Sequence, residues 1–286
     1  MRILAFIAAA TILLGGIASI SGCSSGKNGQ ASLNAEDRFA LGKQKFDDGD
    51  YLGAIQEFQI VTLQFQGSTV ASDAQFYLAE SYFQRHEYLL AAAEYETLIK
   101  RLRSSGLLPR AQYKRALCFY ELSPGPSLDQ QNTKKAIESF QEFIEYNPTN
   151  ELVPDAEARI RELNDKLAVK MYNAAVLYMK MDDHKSAEIY FRKVLERYHD
   201  SEWADDSQIG LVQALIARKK YSEAKEEVQR FFVRYPNSSL LATAEDLLNE
   251  INSKLKQGSN TAFPGLMPSV GTVTAQARTS SPSHDR

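Results

Sequence analysis

The chain has 286 residues, of which 44% are apolar and 24% charged, values typical of a protein that folds around a hydrophobic core. Its formal net charge is −3. Because there is no surplus of basic residues to neutralise phosphates, the composition argues against nucleic acid as the main partner.

The first 22 residues are predicted to form a signal peptide. A single basic residue, Arg2, precedes an apolar run over 3–17, and small residues follow up to Gly22. The run is too short, and its end too rich in small residues, for a helix that spans a bilayer.

The segment that follows predicts a lipid anchor. Residues 20–23, Ile-Ser-Gly-Cys, resemble a bacterial lipobox, whose cysteine is acylated and becomes the mature N-terminus. We therefore predict lipidation at Cys23 and a flexible polar tether over 23–34. A secretory signal with a chance cysteine is the alternative. In bacterial lipoproteins an aspartate after the cysteine is associated with inner-membrane retention; Ser24 stands there in this chain. The resemblance thus implies the outer membrane, with the chain facing the periplasm.

A tyrosine, an alanine three residues later and an aromatic residue four further on recur along the chain, first at Tyr51, Ala54 and Phe58. Full or partial copies place the alanine at 91, 136, 187 and 224, so that consecutive alanines lie 37, 45, 51 and 37 residues apart. This recurrence predicts stacked helix pairs, since neither helix of a pair can bury its apolar face alone.

Two segments interrupt the regular spacing. Residues 123–127, Ser-Pro-Gly-Pro-Ser, cannot continue a helix and predict a loop that projects from one edge of the third unit. The helical pattern resumes at Thr133. From Pro154 a further helical pattern runs to Met179 or Lys180, which predicts a long helix that joins two halves of the array.

The small, aromatic, alanine, aromatic and proline positions of each unit resemble tetratricopeptide repeats. The predicted fold is all-α: a right-handed superhelical solenoid of about five tetratricopeptide-like helix pairs plus a C-terminal capping helix. We assign three repeats to residues 35–150, and the long linking helix, two repeats and the capping helix to 151–256. The Ser-, Thr-, Pro- and Gly-rich tail over 257–286 is predicted to be disordered.

No cluster of residues predicts an enzyme site, a metal site or a bound cofactor. Cys118 lies between Leu117 and Phe119 on an apolar helix, which predicts a buried, unreactive thiol. We expect a binding protein; an enzyme whose site the sequence does not reveal is the alternative. None of the four histidines has the paired spacing of metal ligands: His86, His184, His199 and His284.

Aromatic residues seven positions apart predict a peptide-binding surface on the N-terminal repeats. Seven residues make two helical turns, so both rings of a pair lie on one face of their helix. Exposed rings with cations nearby suit an extended peptide that ends in an aromatic residue and a carboxylate. The alternative is that the rings pack against the neighbouring unit. The predicted peptide-binding residues are Phe39, Lys43, Phe46, Phe76, Phe83, Arg110, Tyr113, Lys114 and Tyr120.

Basic residues cluster in the C-terminal half and predict a second, partner-binding surface. They lie on the trailing helix of the fourth unit and in the turn of the fifth. The alternative is a charged face exposed only to solvent. The residues are Arg192, Lys193, Arg197, Arg218, Lys219 and Lys220.

The lipobox, short tether, five repeats, third-unit loop and long helix together resemble the family of lipoprotein subunits in the machine that assembles outer-membrane β-barrels. Residues 132–137 and 162–168 are similar to that family's sequences. The resemblance implies a non-enzymatic outer-membrane scaffold whose N-terminal repeats bind the C-terminal segment of unfolded barrel precursors. It implies that the C-terminal repeats hold a periplasmic (POTRA) domain of the barrel-forming subunit BamA, beside accessory lipoproteins. The tail is not part of the family pattern.

The alternative function is that of an adaptor lipoprotein with the same fold that serves peptidoglycan synthesis or the Tol–Pal system. Such an adaptor would share the lipobox and the repeats. It would not share the five-unit layout with a long helix between the third and fourth units.

Overall fold

The computed structural model describes residues 33–102 and 105–261. The predicted signal peptide (1–22), Cys23, residues 24–32 of the tether and residues 262–286 of the tail lie outside the described residues. Within the described ranges the chain forms eleven α-helices and no strand. The helices are α1 Ala35–Asp47, α2 Tyr51–Gln64, α3 Ala71–Gln84, α4 Tyr88–Arg101, α5 Leu108–Glu121, α6 Gln131–Tyr146, α7 Val153–Lys180, α8 His184–Arg197, α9 Ala204–Ala217, α10 Tyr221–Arg234 and α11 Leu241–Thr261.

The helices stack as five antiparallel pairs, from α1–α2 to α9–α10, and α11 packs against α10 and α9. The leading helices also contact each other directly, α1 with α3 and α7 with α9, so they line one side of the stack, here called the inner surface. The structure therefore confirms the predicted all-α, tetratricopeptide-like solenoid with five pairs and a capping helix.

Small residues bring neighbouring helices into direct contact. The repeat alanines 54, 91, 136, 187 and 224 are all fully buried. A Cβ atom on Gly42 would lie 2.7 Å from the Phe58 ring, and one on Gly210 would lie 2.3 Å from the Phe191 ring. At these two points the backbone of one helix thus lies directly on an aromatic ring of the neighbouring helix.

Four of the five pairs share one turn geometry. The residue after the turn donates its backbone N–H to the carbonyl oxygen five positions earlier, as from Asp50 to Lys45 and from Lys220 to Leu215. This bond closes the leading helix through a residue in the left-handed region and starts the antiparallel return. The left-handed residues are Gly49 (φ 81°), His86 (60°), Asp182 (57°) and Lys219 (60°).

The third pair has the predicted loop in place of that turn, but the loop lies along α7. Lys166 donates to the Ser123 hydroxyl at 3.0 Å, and Lys170 donates to the Leu128 carbonyl oxygen at 2.7 Å. The sequence predicted that this loop projects from one edge of the unit. In the structure it lies against the long helix instead, because that helix supplies donors for its polar groups. Helix α6 begins at Gln131, two residues before the predicted Thr133.

The long helix and the capping helix both form. Helix α7 has 28 residues and ends at Lys180, as the sequence predicted. Helix α11 packs on the core through Ala244 and Ile251, as a capping helix should. Helix α11 continues to Thr261, so the first residues of the predicted tail are helical. The division of the chain into two halves stays a prediction.

Replacing Gly210 by alanine tests the close approach of α9 to α8. Alanine favours a helix by about 1 kcal/mol, but its methyl group would collide with the buried Phe191 ring, and overpacking costs about 1–3 kcal/mol. We expect Gly210→Ala to lower the midpoint of urea unfolding. Gly67→Ala is the matched control, because no atom lies within 4 Å of its Cβ position; equal midpoints for the two variants would contradict the packing described here.

Candidate peptide-binding and partner-binding surfaces

Two of the predicted peptide-binding rings are buried. Phe76 is 1% exposed and Tyr113 is 7% exposed. Phe76 packs edge-on against Tyr95, and Tyr113 packs against Phe140 and Phe143. The expectation that these two rings form part of an exposed ladder is therefore wrong, because each fills the space between the helices of its own pair.

The other four predicted rings, Phe39, Phe46, Phe83 and Tyr120, are half-buried on the inner surface. A cation lies over the second ring of each unit. The ammonium of Lys43 is 5.3 Å from the Phe46 ring centroid, that of Lys114 is 5.0 Å from Phe83, and the Arg159 guanidinium is 4.7 Å from Tyr120. Cation–π contacts of this kind hold positive charge over aromatic faces.

The sequence did not single out two members of this surface, Tyr77 and Arg159. Tyr77 contacts Phe39 and Phe46, and the Lys43 ammonium lies 4.2 Å from its ring centroid. Arg159 reaches Tyr120 from α7, the next leading helix. Neither contact has a fixed spacing along the chain, so no local pattern could have shown it.

Arg110 differs from the other predicted cations of this surface. Lys43 forms an ion pair with Asp47 at 2.9 Å, and Lys114 forms one with Glu80 at 3.0 Å. Arg110 is exposed, lies 4.9 Å from the Phe76 ring centroid, and has no ion pair with any described residue. Arg110 can therefore bind the carboxylate of a ligand without breaking an existing ion pair.

Carboxylates on α7 complete the inner surface. Asp155 accepts hydrogen bonds from Tyr113 and, at 2.8 Å, from Arg159. Burial alone would raise the pKa of Asp155, but these two donors lower it overall. Glu162 accepts from Tyr120 at 2.6 Å, and burial together with this carboxylate raises the pKa of Tyr120 to about 12. The surface therefore carries fixed charges of both signs near neutral pH.

Three of the six predicted basic, partner-binding residues are already paired. Arg192 donates to Glu188 at 3.2 Å and to Glu227 at 3.1 Å, and Arg218 also donates to Glu188. Lys220 lies 3.7 Å from Glu188. Carboxylates of α8 and α10 therefore offset the positive charge of these three residues, and their role in binding a partner stays a prediction.

The remaining three basic residues differ in their surroundings. The Lys193 ammonium lies 4.7 Å from the Tyr190 ring centroid. Arg197 and Lys219 are exposed and have no ion pair with any described residue. Arg197 and Lys219 are thus the two predicted positions that remain open to a partner.

A groove of about 740 Å³ lies between α8 and α10, close to this ion-pair cluster. Leu195, Leu211 and Val233 supply its apolar lining, and Arg192 and Glu227 supply its polar edge. Val233 is highly exposed for an aliphatic residue. An apolar groove with a charged edge is suited to contact with another protein.

The described residues hold no group of three or more His, Cys, Asp or Glu side chains that could bind a metal. Cys118 is buried, and burial raises the pKa of its thiol to about 12, so the thiol is unreactive near neutral pH. Between residues 33 and 261, none of the described helices has the length and apolar character needed to cross a membrane.

Comparison with known proteins gives a family and two named relatives. The model of the YfiO family, described as outer membrane lipoprotein, matches residues 32–200 and 169–245. The chain is 24% identical to the outer membrane protein assembly factor BamD of Caulobacter vibrioides, over 82% of this chain and 78% of that protein. It is 26% identical to the protein of the same name from Rickettsia prowazekii, over 80% of this chain and 92% of that one. Among solved structures, a TPR repeats protein from Bacteroides fragilis is 13% identical, with a TM-score of 0.43, over 77% of this chain and 98% of that one.

Replacing Glu188 by glutamine tests the ion-pair cluster. Burial alone would raise the pKa of Glu188, but the hydrogen bond from Arg192 and the charges of Lys220 and Arg218 lower it overall. The charge of Glu188 therefore stabilises the folded state at pH values above 4.5, the ordinary pKa of this carboxyl group. This stabilisation is lost as the pH falls through the lowered pKa. We expect Glu188→Gln to lower the free energy of unfolding by about 1–3 kcal/mol at pH 7. The difference in this free energy between the variant and the wild type should become smaller in acid.

Chemical unfolding at pH 7 and pH 3 measures this difference. Glu226→Gln is the matched control, because Glu226 is exposed and lies 3.9 Å from its partner Arg230. If Glu188→Gln lowers the free energy of unfolding by the same amount at both pH values, the charge of Glu188 does not stabilise the C-terminal units.

Proposed function

Because the chain belongs to the YfiO family of outer membrane lipoproteins, we propose that it is a non-enzymatic scaffold of the machine that assembles β-barrels in the outer membrane. The family match, which extends over both halves of the solenoid, is the observation that carries the proposal. The names of the two relatives, both assembly factors, support it. Neither the family description nor those names denote an enzyme.

The inner surface of the first three units receives the C-terminal segment of an unfolded barrel precursor. A terminal aromatic side chain packs among the half-buried rings of Phe46, Tyr77 and Phe83, and the cations above these rings face the peptide. The terminal carboxylate binds Arg110, whose guanidinium has no ion pair among the described residues. A peptide that ends in an aromatic residue and a carboxylate can thus bind one surface through both groups, the ring among the aromatic side chains and the carboxylate at Arg110.

The C-terminal units hold the barrel-forming subunit BamA through its periplasmic POTRA domain. The groove between α8 and α10 offers apolar contact at Leu195 and Val233, exposed Arg197 directly follows the groove residue Glu196, and exposed Lys219 adds a cation in the turn before α10. The ion pairs of Glu188 and Glu227 fix α8 against α10 and so keep the groove in shape. Accessory lipoproteins of the machine are further partners.

The lipid anchor at Cys23 keeps both surfaces at the periplasmic face of the outer membrane. A receptor fixed there meets precursors at a raised effective concentration, so a modest affinity for the peptide is sufficient. No covalent step is needed, because capture and release follow from differences in binding free energy.

Replacing Arg110 by glutamine tests the peptide site. The probe is a synthetic peptide that ends in phenylalanine, compared with the same peptide carrying a C-terminal amide. Loss of a charge-assisted hydrogen bond at an exposed site weakens binding about tenfold. We expect amidation to weaken binding to the wild type by this factor and to have no effect on Arg110→Gln.

Isothermal titration calorimetry gives the four dissociation constants of this cycle. Lys219→Gln is the control, since it removes an exposed basic residue from the other half of the solenoid. If amidation weakens binding to Arg110→Gln as much as to the wild type, the carboxylate binds elsewhere.

Replacing Cys23 by alanine tests the anchor. We expect the variant to lose metabolic labelling with radioactive palmitate and to move from the membrane fraction to the soluble periplasmic fraction, because no acyl chain remains. Cys118→Ala is the control, because Cys118 is buried and its variant should keep both the label and the membrane location. A wild type without label, or a Cys23→Ala variant that keeps the label, would refute acylation at Cys23.

A further inference from the structure

Four leucines are exposed on the first two trailing helices. Leu52 and Leu63 of α2 are 54% and 72% exposed, and Leu89 and Leu90 of α4 are 62% and 51% exposed. They are here called the leucine face. Apolar side chains that cluster on the outside of a fold mark a surface that contacts another phase or partner.

The four leucines lie on one side of the molecule. Leu52 and Leu63 are eleven residues apart, which is three helical turns, so they share a face of α2. Leu52 and Leu89 each occupy the second position of their helix, after Tyr51 and Tyr88. The two helices bury equivalent positions against the core, and therefore they turn the same face outward. The equivalent buried pairs are Ala54 and Ala91, Phe58 and Tyr95, and Val61 and Leu98.

The leucine face carries little charge, although exposed Lys100 of α4 occupies the position equivalent to Leu63. Glu57 is the only charged residue of α2, and it is largely buried under Arg38 and Lys45, each at 3.0 Å. Helix α4 has no charged residue before Glu94. The trailing helices of the fourth and fifth units differ: α8 exposes Lys185 and Arg197 among others, and α10 exposes several charged residues as well. The outer side of the solenoid thus changes from apolar to charged along its length.

We propose that the leucine face rests on the membrane surface to which the chain is anchored. This inference depends on the anchor at Cys23, which is part of the proposed function. Helix α1 begins at Ala35, twelve residues after Cys23, and a fully extended segment of that length spans about 40 Å. The first two units are therefore confined near the lipid, whereas α8 and α10 belong to the other end of the solenoid.

A face with four exposed leucine side chains and few charges suits the boundary between headgroups and acyl chains. Asp47 and Asp48 are exposed at the turn beside Leu52, so the contact is shallow: the leucine side chains enter the interface and the helix axes stay outside it. A weak contact is sufficient, because the acyl chains already hold the protein at the surface. Its effect is to orient the solenoid, with the charged C-terminal units directed into the periplasm.

The test uses the full-length, lipidated protein in vesicles of phosphatidylethanolamine and phosphatidylglycerol. A fluorophore is attached to Leu63→Cys, in a Cys118→Ala background, and is quenched by lipids that carry a quencher on the acyl chain. The matched position is Val233→Cys, because Val233 is the thirteenth residue of α10 as Leu63 is of α2, and is 85% exposed. We expect at least twofold stronger quenching at residue 63 than at residue 233, and a fall in this excess when Leu52, Leu89 and Leu90 are replaced by glutamine.

Equal quenching at the two positions would overturn the inference. Flotation of the vesicles in a density gradient separates this result from a failure of the proposed function. If the protein floats with the vesicles and residue 63 is not quenched, the anchor stands and the leucine face contacts something other than lipid, such as a protein partner. If the protein does not float, the anchor fails and the inference fails with it.

Discussion

The structure depends on the close approach of neighbouring helices at small residues. Where the backbone of Gly42 lies on the Phe58 ring, and that of Gly210 on the Phe191 ring, a methyl group would already be too large. These contacts, and the fully buried repeat alanines, set the distance between helices in the stack. That distance brings the leading helices side by side, and so it creates the inner surface on which rings and cations from different units meet.

The two halves of the solenoid use the same backbone for different chemistry. In the first three units, cations from leading helices lie over half-buried rings of the same surface, and Arg110 is left without a carboxylate partner among the described residues. In the last two units, Glu188 and Glu227 bind the cations instead, and the ion pairs join α8 to α10 beside an apolar groove. One surface thus suits a peptide with an aromatic side chain and a carboxylate, and the other suits a folded domain.

The sequence predicted what depends on local pattern and missed what depends on contacts between units. The repeat of alanine and aromatic positions predicted the five pairs, the helical pattern after Pro154 predicted that α7 ends at Met179 or Lys180, and the layout as a whole predicted the family; all three are confirmed. The exposure of Phe76 could not be predicted, because its burial depends on Tyr95 of the partner helix. The ion pair between Arg192 and Glu227 could not be predicted either, since 35 residues separate the two side chains along the chain. The third-unit loop was expected to project, but its position depends on lysines of α7, more than 40 residues away.

The most direct test of a scaffold role in barrel assembly is a pull-down of the tagged full-length protein from detergent-solubilised membranes. Mass spectrometry of the bound fraction identifies the partners, and an Arg197→Glu, Lys219→Glu double variant probes the two open cations of the C-terminal half. The account predicts that the barrel-forming subunit BamA co-purifies with the wild type and is depleted from the double variant. Recovery of peptidoglycan-synthesis or Tol–Pal components, with no barrel-assembly component, would contradict it.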